Sequence, residues 1–134
     1  METTRIIDPD KHFVYTTVTG NITLDEIRLD MARLAAEPLY IPDMPGIVDM
    51  RNATVNMTPD ELRLLTDQIK KSPRVVARTR RALLVSTDRM YDFYCMFTSL
   101  AEGGRVEYRV FREEHSARDW VAEAVEKRRL GHLI

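Results

Sequence analysis

The sequence has almost no cysteine. Cys95 is the single thiol among 134 residues, so a disulfide within the chain is excluded. Long apolar runs are missing too: no stretch approaches the ~20 residues a membrane-crossing helix needs, so no membrane insertion is expected. A charge excess is absent, with twenty basic residues against twenty-one acidic, and no global field draws the chain to nucleic acid or an anionic surface. The first residues lack a charged head followed by an apolar core, so no secretory signal is expected and a cytoplasmic location is. Glycine-rich phosphate cradles are missing, as is the G-x-S-x-G elbow. The histidines His12, His115 and His132 have neither i,i+4 pairing nor a cysteine companion, which leaves a zinc site without support. No cofactor and no enzymatic activity are expected.

What is present is enough apolar material for a real core, 44% of residues, and residues 1–134 read as one domain. The stretch 3-TTRIIDPDKHFVYTTVTGN-21 holds two β-branched runs split by Asp8-Pro9-Asp10, the chemistry of a hairpin turn. In the second run both alternating faces carry bulk, so the pattern leaves its core face open. After Asn21 the period changes from two to about 3.6. Thr23 with Glu26 has capping-box spacing, and Leu24, Ile27, Met31 and Leu34 fall on one stripe ended by Pro38. Residues 46–50 read as a short strand. Thr58-Pro59-Asp60-Glu61 opens the next helix, whose stripe is Leu62, Leu65 and Ile69.

A strand over 81–87 lacks alternation, as expected of one covered on both faces. Asp88 is the predicted cap of the following helix and Gly103-Gly104 its stop. A strand over 105–111 and a last helix follow, with Ser116 and Asp119 as its predicted cap and Ala117, Trp120, Val121 and Ala124 facing inward. The predicted order β-β-α-β-α-β-α-β-α implies an α/β fold. It has a single mixed β-sheet, built from an N-terminal hairpin plus parallel βαβ units, with four helices.

That order, together with 47-IVDMRNATVNMTPDELRLL-65, resembles the STAS family, the domain of bacterial anti-sigma-factor antagonists, and in particular a divergent SpoIIAA-like branch. The resemblance runs from Arg5 to about Lys127 and implies a non-enzymatic regulatory module acting through protein contacts. In regulatory STAS members a strand of the type hydrophobic-Asp/Asn-hydrophobic leads to Asp-Ser-x-Gly at a helix N-terminus, where a partner kinase phosphorylates the serine. Here the strand holds Val48-Asp49-Met50, and the four loop positions hold Met57-Thr58-Pro59-Asp60. Thr58 is thereby the candidate phosphoacceptor. Its surroundings argue for a plain helix cap instead, because Pro59 removes an N–H donor and Asp60 and Glu61 repel an incoming dianion.

Three further features are candidates for function. Asp49, Arg51 and Asn52 near a strand end form the most site-like polar group, because ligands of open α/β sheets gather at carboxyl ends of strands. An Asp49–Arg51 pair of purely structural role is the competing reading. The run 70-KKSPRVVARTRR-81 is basic but has no aromatics to stack bases, and reads as solvated surface rather than a nucleic-acid site. The helix 88-DRMYDFYCMFTSLAEGG-104 has a sufficient core stripe in Met90, Phe93, Phe97 and Leu100, yet Tyr91, Tyr94, Cys95 and Met96 load further faces with apolar bulk. Such excess points to company: a homodimer face first, a cleft beside the helix for a small apolar or lipid-like ligand second. Cys95 reads there as a packing residue. The functional expectation is therefore a dimeric STAS-type module with a regulatory protein partner, the alternative being a small-ligand or lipid carrier.

Overall fold

The computed structural model describes residues 1–72 and 78–131, with side chains of the last helix through residue 126. Its elements are β1 (Glu2–Asp8), β2 (Phe13–Ile22), α1 (Leu24–Ala35), β3 (Gly46–Val55), α2 (Pro59–Lys70), β4 (Thr79–Leu84), α3 (Asp88–Ala101), β5 (Val106–Phe111) and α4 (Glu114–Gly131). One five-stranded sheet has the order β1-β2-β3-β4-β5; β1 and β2 are antiparallel and every later pair is parallel. The hairpin turn is closed by the Asp8 carboxylate, which accepts from the Asp10 and Lys11 amides at 3.1 Å. His12 completes it at a positive φ of 49°.

Sequential strand order has a consequence for the layers. Crossovers between parallel neighbours are right-handed, so a chain that always steps in the same direction puts every crossover helix on one face. Leu24 of α1, Leu62 and Leu65 of α2, and Met90, Tyr94 and Phe97 of α3 accordingly share one apolar cluster with Val18, Met50 and Leu83 of the sheet. The opposite face is left to α4, whose Ala117, Trp120 and Val121 pack on Ile47, Ala82 and Leu84. At the crossing of β2 and β3, Gly46 is required: a Cβ there would lie 2.5 Å from the Val14 carbonyl oxygen, closer than any real contact.

The predicted order of elements holds, and several boundaries move. β3 continues five residues past Met50, paired with β2 alone through Ile22↔Val55. The period breaks inside it: Thr17 faces Asp49 but Thr19 faces Asn52, so Met50 and Arg51 together oppose Val18 in a β-bulge. Past the bulge Ala53 and Val55 are the buried residues, so the inward positions shift by one. Thr87, not Asp88, caps α3, its hydroxyl accepting from the Met90 amide at 3.2 Å. α4 begins at Glu114, so Ser116 lies inside the helix rather than at its cap. The buried stripe of α3 is Met90, Tyr94, Phe97 and Ala101, rotated from the predicted one, with Phe93 and Leu100 only partly buried. In α1, Leu24 is buried but Met31 is 41% exposed, because this helix does not close down on the sheet.

Candidate functional site

The gap that holds α1 away from the sheet is a cavity of about 240 Å³. Its walls are mostly apolar: Ile27, Met31 and Leu34 from α1, Val18 and Leu83 from the sheet, and Phe97 from α3. The charged groups of its lining residues, among those described, are the Met1 ammonium, Arg5, Asp30 and Arg81, and the ammonium pairs with Glu26 at 3.1 Å. Arg5 and Asp30 form an ion pair that ties β1 to α1, both side chains largely buried. Arg81 stands apart. It belongs to the helix-covered face because alternation along β4 sends Arg80 one way and Arg81 the other. One of its terminal nitrogens donates to the Tyr40 hydroxyl and, at 3.1 Å, to the Pro42 carbonyl. Its Nε is buried with no hydrogen-bond partner. Burial opposes the Arg81 charge, and the adjoining Tyr108 and Tyr40 hydroxyls outweigh that, so its pKa lies above the ordinary arginine value. Burial also raises the Tyr108 pKa, which keeps its phenol a neutral donor.

A second polar group lies on the α4 face. Asp49 accepts from Arg51 Nε at 3.0 Å, from Arg51 Nη2 at 2.8 Å, and from the Tyr15 hydroxyl at 2.8 Å. The same carboxylate takes the Arg51 backbone N–H at 3.1 Å, supplying a partner at the bulge. Arg51 also donates to Glu114 at 2.9 Å, Glu114 pairs with Arg118 at 2.7 Å, and Arg118 lies over the Tyr15 ring. Desolvation would raise the Asp49 pKa, but the Arg51 and Tyr15 hydrogen bonds overcome it and hold the carboxyl below its usual range. The Tyr15 phenol is pushed up to about 12, by burial first and by Asp49 second. Two acids and two arginines neutralise one another here, a geometry that locks α4 to β3. Asn52, the third member of the predicted trio, is exposed beyond the bulge and is not brought into this cluster.

The other expected positions separate. Thr58 caps α2, accepting from Glu61 N–H at 3.1 Å while the Glu61 carboxylate accepts from Thr58 N–H at 3.0 Å, a complete capping box at an exposed site. Tyr94 is 5% exposed, wedged edge-on between Phe93 and Phe97, and lines the cavity rather than the outer surface. Tyr91 is partly buried beneath the Arg112 guanidinium, 4.7 Å from its ring centre, and Cys95 is partly buried. Met96 alone of the four is exposed, at 49%. The basic run also divides: Arg80 faces α4, Arg81 faces the cavity, and Lys71 pairs with Asp67 at 2.8 Å. Arg74 of that run and His132 lie outside the described residues. Among the described residues no group of His, Cys, Asp and Glu could hold a metal ion, and no helix is long and apolar enough to cross a membrane.

No family model and no curated protein matches the chain. Among solved structures, it is similar to an uncharacterized protein from the DUF3478 family of Shewanella loihica PV-4, described as having a SpoIIAA-like fold. The likeness has a TM-score of 0.52 at 16% identity and covers 89% of this chain and 93% of the other. The fold is SpoIIAA-like. The expected mixed sheet with four helices is thus found both in the element order and in a solved neighbour, at an identity where only the fold is shared. Within this SpoIIAA-like frame, Arg81 is the residue that sequence reasoning missed. The predicted strand begins at residue 81, whereas β4 begins at Thr79, and that earlier start is what puts Arg80 and Arg81 on opposite faces of a covered strand.

Proposed function

We propose that this chain is a non-enzymatic binding module that holds a small, mostly apolar molecule in the cavity between α1 and the sheet. The supporting observation is the cavity itself. About 240 Å³ stays open here in a recess between α1 and the sheet, walled by apolar side chains with a few polar groups among them. The clefts of apolar-ligand sites have this make-up, with a few polar groups that fix orientation. Native mass spectrometry of freshly purified protein is expected to show an adduct that denaturation removes. An unmodified mass in repeated preparations, with no thermal shift on adding a neutral eight-carbon alcohol, would refute the reading.

A second reading is a STAS-type regulatory module that meets a partner protein or a second copy of itself. It is favoured by Thr58, which sits exposed at the N-terminus of α2, at the sequence position of the family's phosphorylated serine, and by the bare Met96 on α3. Light scattering at micromolar concentration is expected to give a dimer that Met96→Glu converts to folded monomer. A wild-type monomer would remove the homodimer from this reading.

A further inference from the structure

From the charges lining the cavity we infer that its occupant is an amphiphile with an anionic head, seated against Arg81, Tyr40 and Tyr108. This rests on the cavity being a binding site and specifies what binds. Arg5 and Asp30 cancel one another and the Met1 ammonium is paired with Glu26, so the described lining carries one uncompensated positive charge, on Arg81. No carboxylate pairs with Arg81 among the described residues; its partners are the Tyr40 and Tyr108 phenols and the Pro42 carbonyl, all uncharged, and its Nε has none. Leaving a guanidinium without an anion in an apolar recess is costly, and a structural role does not require it: a methionine would pack the same space. A bound carboxylate or phosphate monoester completes the set, because a guanidinium fork takes two oxygens of either group side by side. The neutral phenol of Tyr108, next to the guanidinium, offers a further donor. The rest of the wall is apolar, which suits a hydrocarbon tail rather than a free anion. A space of about 240 Å³ suits a short hydrocarbon tail, which eight-carbon probes test.

The probes are octanoate, octyl phosphate, 1-octanol and inorganic phosphate, titrated into the full chain below micelle-forming concentrations and followed by calorimetry and thermal shift. Octanoate or octyl phosphate is expected to bind at least ten-fold more tightly than octanol, and the tighter of the two names the head group. Arg81→Met is expected to lower anion affinity to that of octanol while leaving octanol binding unchanged, with a thermal midpoint at or above that of the wild type. Tyr108→Phe, which keeps the ring, is expected to weaken octanoate by a few-fold. Octanol binding as tightly as both anionic probes would overturn the head-group assignment and leave the apolar cavity reading intact. Failure of all four probes would overturn both. Inorganic phosphate binding as tightly as octyl phosphate would overturn the amphiphile in favour of a plain anion site.

Discussion

Arg80 and Arg81 are neighbours in one strand and live in opposite worlds. Arg80 points to the α4 face, where Glu123 at 2.6 Å, Glu107 at 3.2 Å and the Trp120 carbonyl at 3.1 Å surround it, and its guanidinium stacks on the Trp120 ring. Arg81 points to the α1–α3 face and meets no acid among the described residues. The contrast extends to the two layers. On the α4 face one helix packs on the central strands, with every acid in its central polar cluster answered by a base, while Ile6 at the β1 edge stays exposed. Three helices on the other face leave a cavity and an unanswered cation. The number of covering elements does not decide how full a core is; the fit of each helix to the sheet does, and α1 is the one that stands off.

The comparison can be broken or sharpened by substitution. The largest effect is expected on the α4 face: Trp120→Ala removes its main wedge and should cost about 3–5 kcal/mol in urea unfolding. Asp49→Asn comes next. It removes the carboxylate that holds Arg51 and the Tyr15 hydroxyl in place beneath α4 and should cost roughly 1–3 kcal/mol at neutral pH, less than a fully buried pair because Arg51 is 38% exposed. The Asp49 pKa is lowered in the folded protein, so its contribution is fully present above the unfolded value of about 4 and is lost as pH falls through the folded value. The wild-type advantage over Asp49→Asn should therefore shrink below about pH 4 in acid unfolding, and an advantage that stayed constant would contradict the assigned pairing.

Arg80→Met and Arg81→Met give the direct contrast. The first should cost about 1–2 kcal/mol through lost ion pairs, ring stacking and packing. The second should cost nothing. Equal losses would mean that the two environments do not differ as described. The smallest effect is expected on the open side: Met31→Ala in α1 should change stability by less than about 0.5 kcal/mol, since half-exposed atoms over a cavity have little packing to lose.

Most of the fold is legible in the sequence because its signals are local. The Asp8-Pro9-Asp10 turn, the Thr58 capping box and the change of period after Asn21 each act within a few residues of themselves. What escaped was non-local. The bulge places the polar pair Arg51-Asn52 where alternation should continue, so β3 reads as ending at Met50. The α3 stripe shifted to Tyr94 and Ala101 because the sheet and α2 both press on that helix, which no single helix wheel encodes. Of the candidate sites, the Asp49–Arg51 pairing could be read from spacing, while Tyr15 and Glu114 come from remote elements. The cavity is hardest to see of all, since a helix that stops short of its sheet has the same amphipathic pattern as one that reaches it.

The bulge at Met50–Arg51 acts like a frameshift in the sheet's alternating code. Ahead of it the odd-numbered positions of β3 face α4; after it they turn toward the three-helix layer, so one strand satisfies two different neighbours. Excising one residue there would restore strict alternation with Met50, Ala53 and Val55 on the same inward face, whereas flattening the bulge with all residues kept would turn Ala53 and Val55 outward and drive Asn52 and Thr54 inward. The extra residue is therefore what lets a strand of this length keep its outer half in register with β2 and its apolar side chains toward the three-helix layer.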